Sequence, residues 1–229
     1  MNDDKLLGQT LSLLFQAHPW HGIDPGAAAP DQLTCFIEIV PTDAVKYEVD
    51  KATGHLKIDR PQRFSSICPT LYGFVPQSYC GPEIAALSSK KTGQEVDRGD
   101  GDPLDICVLT ERPIAHGSII VQARPIGGML MIDNGEADDK IIAVLESDLS
   151  YGQFTDISDC PPAHIERLKH YFLSCKKSPD GPEPVEIAAV YDRAHAFEVI
   201  KTSFADYKHK FGTPAAHLAD LHKLLRIGS

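Results

Sequence analysis

The chain has 229 residues, of which 42% are hydrophobic and 24% are charged, a composition typical of a folded globular protein with one large domain or two small ones. Its formal net charge of −10 argues against a general nucleic-acid or anionic-membrane surface, because both depend on basic patches. Residues 1–5 carry acids where a secretory signal needs bases, and no apolar run approaches membrane-spanning length. We therefore expect a cytoplasmic protein that binds neither nucleic acid nor membrane.

Strands are predicted first along the chain. Residues 34–41 form an apolar run with one embedded acid, and residues 45–50 and 55–59 alternate polar and apolar around a glycine-bearing turn, as in a β-hairpin. Because side chains two apart in a strand share a face, Lys46 and Glu48 lie together, on either a solvated surface or the lining of a polar cleft. Further strands are predicted at 104–110, 118–124, 140–145 and near 185–191.

Helices are predicted only in the later part of the chain. Apolar residues recur at helical spacing over 165–175 and 197–211, and leucines over 218–225 indicate a short third helix. A meander of short strands followed by helices favours a closed or strongly curved sheet with helices outside it over a parallel βαβ fold. The polar segment 77–98 is interpreted as an insertion.

The scattered cysteines contain no Cys-x-x-Cys pair, and several lie inside apolar runs. This distribution favours free, mostly buried thiols in a reducing compartment over a disulfide framework or a zinc site. The cysteines are Cys35, Cys68, Cys80, Cys107, Cys160 and Cys175.

The stretch from Asp100 to Asp105 carries three aspartates directly before an apolar run. Like-charged carboxylates repel and cost desolvation unless a cation collects them, so the simplest interpretation is a metal site. Gly101 permits a sharp turn, Pro103 stiffens it, and oxygen-only ligands point to a hard cation such as Mg²⁺. On this hexapeptide alone, a polar turn or a structural Ca²⁺ loop stays open as an alternative.

A second acidic turn, from Asp133 to Lys140, also lies between apolar segments. If the two turns meet at one rim of a barrel, their carboxylates surround several Mg²⁺ ions, and such sites activate water and clamp phosphoryl oxygens. The cations of Lys46, Arg60, Lys140 and Lys176 would complement the metals, because phosphoryl transfer needs its developing charge stabilised.

Residues 18–22 place two histidines around Trp20, the single tryptophan of the chain. These histidines have no cysteine or glutamate at ligand spacing. We therefore favour a packed N-terminal strap over a metal site or a nucleophile and base.

Together these segments resemble one family, the soluble family I inorganic pyrophosphatases. The stretch from Asp100 to Asp105 matches the family signature, and the similarity runs over roughly residues 34–211. The other matching segments, in order, are Ile37-Glu38-Ile39, Lys46-Tyr47-Glu48, Asp59-Arg60, Leu71-Tyr72-Gly73-Phe74, Arg124-Pro125-Ile126-Gly127 and Asp133 to Lys140.

The resemblance implies an α+β, mainly β fold, a distorted five-stranded OB-like β-barrel with flanking α-helices. It implies a single domain over 1–229, with an N-terminal strap at 1–33, the insertion at 77–98 and a C-terminal extension at 212–229. The implied activity is Mg²⁺-dependent hydrolysis of inorganic diphosphate to two orthophosphates by metal-activated water. Several Mg²⁺ ions would bind per site, with Mn²⁺ or other divalent ions as substitutes. Bacterial members are usually homo-hexamers and others dimers, so a homo-oligomer is expected.

The resemblance also implies roles for individual residues. Asp102 matches the carboxylate that helps to remove a proton from the attacking water. The metal ligands are matched by Asp100, Asp105 and Asp138, with Asp133 at a further metal and Glu38 and Glu48 around the metals. The groups that hold the two phosphates are matched by Lys46, Arg60, Tyr72, Lys140 and Lys176.

Three positions depart from the family pattern. The family often has tyrosine at the positions of Cys68 and Cys175, both near phosphate, and an acid at the position of Asn134. The loss of two phenolic donors predicts slower or altered turnover in an enzyme whose metal carboxylates are complete. Both cysteines are interpreted as small apolar fillers in preference to a reactive or metal-binding pair.

Two other functions are alternatives to diphosphate hydrolysis. A broader Mg²⁺-dependent phosphohydrolase for nucleotides or phosphomonoesters has little support, because no glycine-rich phosphate loop is evident. A non-catalytic Ca²⁺- or phosphate-binding protein is disfavoured, because a binder needs no water-activating carboxylate such as Asp102. Phosphate release from different substrates separates the three functions.

Overall fold

The computed structural model describes residues 16–176 and 185–213, together with positions 216, 219, 220 and 223. The strands are β1 (Leu33–Ile39), β2 (Val45–Val49), β3 (Leu56–Pro61), β4 (Leu71–Phe74), β5 (Arg98–Gly99), β6 (Asp105–Leu109), β7 (Ile119–Asp133), β8 (Glu136–Ala137), β9 (Lys140–Leu145) and β10 (Val185–Asp192). The α-helices are α1 (Pro82–Thr92), α2 (Pro162–Cys175) and α3 (Arg193–Phe211). Among the helices that the structure describes, none combines the length and the apolar character of a membrane span.

Five strands close into a ring. β1 pairs with β4, β4 with β6, β6 with β9 and β9 with β7, and β7 returns to pair with β1. Within this ring only β6 and β9 are parallel. β10 adds to the sheet beside β7, and β2 and β3 form a separate two-stranded hairpin. The predicted mainly β, OB-like barrel with helices around it is confirmed.

Alternation along the strands sends apolar side chains to two faces of the sheet. Ile106 and Ile141 belong to one cluster, which also contains residues of α1 and α3. Cys107 and Ile142 belong to a second cluster, which contains residues of α2. Because Asp105 lies two residues before Cys107, the polar groups at the start of β6 lie on the side that α2 covers.

The predicted hairpin and the predicted strands are present, with one difference in length. The strand expected at 118–124 continues to residue 133, although Pro125 and two glycines, Gly127 and Gly128, lie inside it. A register shift between Pro125 and Gly127 absorbs the irregularity, as a β-bulge does. The short strand β4 was not predicted, because all four of its residues are buried and show no alternation.

Two helices predicted late in the chain are confirmed as α2 and α3, whereas the expectation that helices occur only there is wrong. α1 lies within the segment 77–98 that was interpreted as an insertion. Its backbone N–H groups at Gly81, Glu83 and Ile84 donate to the buried carboxylate of Asp206 on α3 at 3.0 to 3.1 Å. This cap comes from a distant part of the chain, so no local pattern reveals it. The third predicted helix has its leucines at 218, 221, 224 and 225, which lie outside the described residues.

The predictions for the six cysteines and for residues 18–22 are confirmed. All six cysteines are free and buried. Trp20 is buried, its indole Nε1–H donates to the carbonyl of Ser78 at 2.7 Å, and its ring meets that of Phe211 at 5.2 Å. Packing of residues around Trp20 therefore accounts for this segment.

Candidate active site

Strand register brings the two acidic turns together. Asp105 begins β6 and Lys140 begins β9, and the two residues are partners in the parallel ladder. Asp138 lies two residues before Lys140. The Lys140 Nζ lies 2.5 Å from Asp105 Oδ2 and also forms an ion pair with Asp138 Oδ1. The predicted meeting of the turns thus occurs, and its centre is one lysine.

Lys140 lies in an unusual environment for a lysine, since its side chain is only 3% exposed. Burial would lower the Lys140 pKa, but the carboxylates of Asp105 and Asp138 outweigh burial and hold this pKa well above its usual range. The ring centroid of Phe172 lies 5.8 Å from Nζ, and Tyr72 donates its hydroxyl to Asp105 Oδ2 at 2.5 Å. The ammonium group is therefore charged and shared between two carboxylates.

The first acidic turn is shaped by Gly101, whose φ of +77° lies in the left-handed region that glycine adopts without strain. The backbone N–H of Asp102 donates to Asp100 Oδ1 at 2.9 Å, and the Asp102 carbonyl accepts from Cys80 N at 2.8 Å. Burial, together with the neighbouring Asp138, raises the pKa of Asp100 to about 9. The turn directs Asp100 inward and leaves the Asp102 side chain 41% exposed at the cavity mouth.

The second turn contains the two-residue connection Asn134-Gly135 between β7 and β8, with φ values of +50° and +84°. An Asn-Gly pair with both φ values positive is the preferred sequence of a tight hairpin turn. The exposed Asn134 donates its amide to Asp133 Oδ1 at 2.9 Å. The turn therefore accommodates asparagine at this position, as it would aspartate, and the backbone does not explain the departure from the acid that the family often has.

The β2–β3 hairpin contributes a cluster of charges. Lys46 Nζ lies 2.9 Å from Asp59 Oδ2 and 3.5 Å from Glu48 Oε2, while Arg60 Nη1 lies 2.6 Å from the same Asp59 oxygen. Burial opposes the charge of Lys46, but the hydrogen bond and the charge of Asp59 raise its pKa above the usual range. Asp59 thus holds the two cations side by side.

Glu38 is the acid embedded in β1, and it is 6% exposed. Its Oε1 accepts the backbone N–H of Val49 at 2.6 Å, which ties β1 to the hairpin. Burial raises the pKa of Glu38 to about 8, despite this hydrogen bond. A carboxyl group in such a position lowers its free energy by taking up a proton or a cation.

Every site residue predicted from the sequence lines one cavity of about 270 Å³. Lys51, Glu136 and Tyr171 also line it and were missed. Lys51 follows Lys46 and Glu48 on the same hairpin and forms an ion pair with Asp102. A cation at the tip of a hairpin that already carries three predicted site residues, Lys46, Glu48 and Arg60, was the available signal. The predicted residues along the cavity are Glu38, Lys46, Glu48, Arg60, Tyr72, Asp100, Asp102, Asp105, Asp133, Asp138, Lys140 and Lys176.

The donor set of this cavity suits hard divalent cations. Acidic side chains outnumber basic ones along the cavity, and the acids offer only carboxylate oxygens, the ligands that Mg²⁺ prefers. Over the residues that the structure describes, no three His, Cys, Asp or Glu side chains already form a metal-sized group. Asp105 and Asp138 are instead joined through the Lys140 ammonium. The residues fit Mg²⁺ by chemistry and by their excess of negative charge.

The two departing cysteines are both buried, and one of them faces the cavity. Cys175 lines it from the last residue of α2, and Cys68 is fully buried. Burial raises the pKa of both thiols, so both stay protonated at neutral pH. This agrees with the interpretation of small apolar fillers.

An OB-like barrel whose carboxylates, lysines and arginine surround one cavity has the charges that phosphoryl transfer needs, which indicates the class of phosphohydrolases. The family model described as inorganic pyrophosphatase matches residues 35–208. An inorganic pyrophosphatase of Chlamydia caviae is 51% identical over 199 residues, which cover 85% of this chain and 92% of that relative. A soluble inorganic pyrophosphatase of Oryza sativa subsp. indica is 38% identical over 176 residues, which cover 77% of this chain and 73% of that relative.

The fold of the chain is also similar to that of solved inorganic pyrophosphatases. The crystal structure of an inorganic pyrophosphatase from Thermus thermophilus has a TM-score of 0.70 and 29% identity, over 84% of this chain and 99% of that one. The chain belongs to the inorganic pyrophosphatase family, whose activity is the hydrolysis of diphosphate.

Proposed function

We propose that this chain hydrolyses inorganic diphosphate to two orthophosphates and that the reaction depends on Mg²⁺. The observation that carries the proposal is the buried Lys140, which joins Asp105 and Asp138 from the two acidic turns. A cavity with this many carboxylates repels an anionic substrate until cations fill it. Mn²⁺ or other divalent ions are expected to substitute for Mg²⁺.

The proposed metal ligands share carboxylate oxygens that face the cavity. They are Asp100, Asp105 and Asp138, with Asp133 at a further metal and Glu38 and Glu48 around the metals. When bound, Mg²⁺ supplies a lowered pKa for water and shields the phosphate charge.

The remaining roles belong to side chains of the chain itself. Asp102, at the mouth, is proposed to accept the proton of the attacking water. The substrate-binding side chains are proposed to stabilise the charge on the two phosphates as the bridging bond breaks. These side chains are Lys46, Arg60, Tyr72, Lys140 and Lys176.

The test is phosphate release from diphosphate with Mg²⁺, with and without a chelator, beside ATP and p-nitrophenyl phosphate. With Mg²⁺ we expect phosphate release from diphosphate but not from the other two substrates. The chelator should abolish this release. Asp102→Asn should lower kcat by about 10²- to 10⁴-fold, the usual contribution of a general base. Asp31→Asn, at an exposed aspartate paired with Arg193, is the matched control and should keep kcat.

Two results would contradict the proposal in different ways. Equal rates on all three substrates would show a broader phosphohydrolase. Equally slow release by wild type and Asp102→Asn would favour a phosphate- or Ca²⁺-binding protein.

Location and assembly complete the proposal. Six free, buried thiols support a reducing, cytoplasmic location. A homo-oligomer, as a hexamer or alternatively a dimer, stays a prediction, and light scattering of the purified chain measures it. The single domain over 1–229 likewise stays a prediction, which one cooperative unfolding transition would support.

A further inference from the structure

The turn of the β2–β3 hairpin reaches across the cavity mouth. Lys51, in this turn, forms an ion pair with the side chain of Asp102 on the first acidic turn. Both residues line the cavity, and their side chains are 47% and 41% exposed. The hairpin forms its own two-stranded sheet, so this ion pair links two separate parts of the fold.

Hydrogen bonds within the hairpin turn hold its backbone, and with it the backbone position of Lys51. Asp50 Oδ1 accepts from the backbone N–H of Thr53 at 3.0 Å and from its hydroxyl at 2.8 Å. Gly54 has a φ of +75° and donates its N–H to the Asp50 carbonyl at 2.8 Å. An aspartate that accepts these hydrogen bonds stabilises the turn through contacts within the turn itself.

The N-terminal strap braces both ends of the ion pair. At Gly54, a Cβ atom would lie 3.0 Å from side-chain atoms of His18 and Pro19, so the strap touches the hairpin turn. Two residues further on, Trp20 donates to the Ser78 carbonyl, and the Ser78 hydroxyl accepts the N–H of Leu104 at 2.8 Å. The strap therefore contacts the turn that carries Lys51 and, through Ser78, the segment that carries Asp102.

We infer that Lys51 is a positioning residue for Asp102. The inference rests on the proposed function, in which Asp102 accepts a proton from water. By this ion pair Lys51 holds the carboxylate of Asp102 at the cavity lining, where the proposed function needs a proton acceptor. A flexible carboxylate that is 41% exposed would otherwise spend part of its time turned toward solvent. Lys51 therefore acts through Asp102 and not through the substrate.

The test compares Lys51→Met and Lys51→Arg with wild type in diphosphate hydrolysis. We expect Lys51→Met to lower kcat about two- to five-fold with KM unchanged, which is the size that an exposed ion pair supports. Lys51→Arg should retain most of the wild-type kcat, because arginine keeps the positive charge and a side chain long enough to reach Asp102. The matched control is Lys91→Met, which removes another partly exposed lysine whose ion pair with Glu198, at 3.3 Å, lies outside the cavity.

A double-mutant cycle with Asp102→Asn decides between positioning and direct substrate binding. In the Asp102→Asn background, Lys51→Met should have no further effect on kcat, because the group that it positions is gone. A rise in KM in both backgrounds would show that Lys51 binds diphosphate and would overturn the inference. Wild-type kinetics in Lys51→Met, or an increase in kcat, would overturn it as well.

Two further measurements distinguish a failure of this inference from a failure of the proposed function and from misfolding of the variant. Absence of diphosphate turnover in wild type would refute the proposed function itself. Trp20 is the only tryptophan of the chain, and it belongs to the same apolar cluster as Val49 and Leu56, which flank the hairpin turn. Unchanged Trp20 emission and an unchanged urea midpoint in Lys51→Met would show that the kinetic change does not arise from misfolding, whereas a kinetic loss that follows a shifted emission would assign Lys51 a structural role and overturn the inference.

Discussion

Replacing Lys140 by methionine tests whether the two acidic turns depend on a cation between them. Methionine keeps most of the aliphatic stem, so little cavity is created. The substitution leaves Asp105 and Asp138 facing each other without the ammonium that lies 2.5 Å from Asp105 Oδ2. Removing one partner of a buried ion pair costs about 3–5 kcal/mol, because the remaining charges stay uncompensated.

The expected loss can be expressed as a thermal shift and given a control. For a chain of this size, about 3 kcal/mol corresponds to a decrease in Tm of about 6–12 °C. Lys176→Met removes another lysine of the cavity, paired with Asp133, but its side chain is 38% exposed. Solvent screening limits such a pair to about 1 kcal/mol or less. The two variants should therefore differ several-fold in their effect.

Urea unfolding with chelator and with saturating Mg²⁺ measures the loss of unfolding free energy and the part of it that the metal recovers. Without metal, Lys140→Met should lose about 3 kcal/mol of unfolding free energy. With Mg²⁺, part of this loss should be recovered, because ligands of the folded state stabilise it by mass action and the freed carboxylates bind cations more readily. Equal losses in Lys140→Met and Lys176→Met, or a loss that Mg²⁺ does not change, would refute the reasoning.

Three further predictions concern other parts of the molecule. Trp20→Phe removes the indole donor from the Ser78 carbonyl while keeping a ring, so we expect a loss of about 1–3 kcal/mol in urea unfolding followed by circular dichroism; a neutral result would contradict the role of this hydrogen bond. Cys175→Tyr restores a phenol at the cavity wall, which should lower KM for diphosphate and cost about 1–3 kcal/mol from overpacking a residue that is 5% exposed; unchanged KM and kcat would refute the link between this cysteine and turnover. Burial lowers the pKa of His195 below 6.5, so the unfolded chain binds the proton more readily and stability falls as the pH drops through this value. His195→Gln should reduce that loss between about pH 7 and pH 5 in urea unfolding, and an unchanged pH slope would contradict it.

The elements that the sequence predicted are those whose pattern is local. Alternation identified the β2–β3 hairpin, and helical spacing identified α2 and α3. α1 escaped because it buries only Ile84, Ala85 and Ser88 and is capped by Asp206 on a distant helix. The full length of β7 was not predicted, because a proline and two glycines normally end a strand. In this barrel the strand continues through a β-bulge at that place.

In the site, too, the features with a local sequence pattern were predicted and those that depend on distant parts of the chain were not. Acids packed into short turns are visible in the sequence because their repulsion needs an explanation, and the turns at Asp100 and Asp138 were found for that reason. The sequence did not show which cation pairs with which acid. That Lys51 reaches Asp102, and that Asp59 holds Lys46 beside Arg60, depends on where a separate hairpin lies in space.

The parallel pairing of β6 with β9 is the feature that turns two acidic turns into one site. Antiparallel neighbours can follow each other through a short turn, but parallel strands need a long connection, here the chain that carries β7 and β8. Both strands therefore begin at the same end of the barrel, and the register pairs Asp105 with Lys140. A slip of one residue in this ladder would send Lys140 to the opposite face, toward the cluster that holds Ile141. The apolar residues that follow on both strands resist such a slip, so the core that stabilises the barrel also fixes the position of the charges in the cavity.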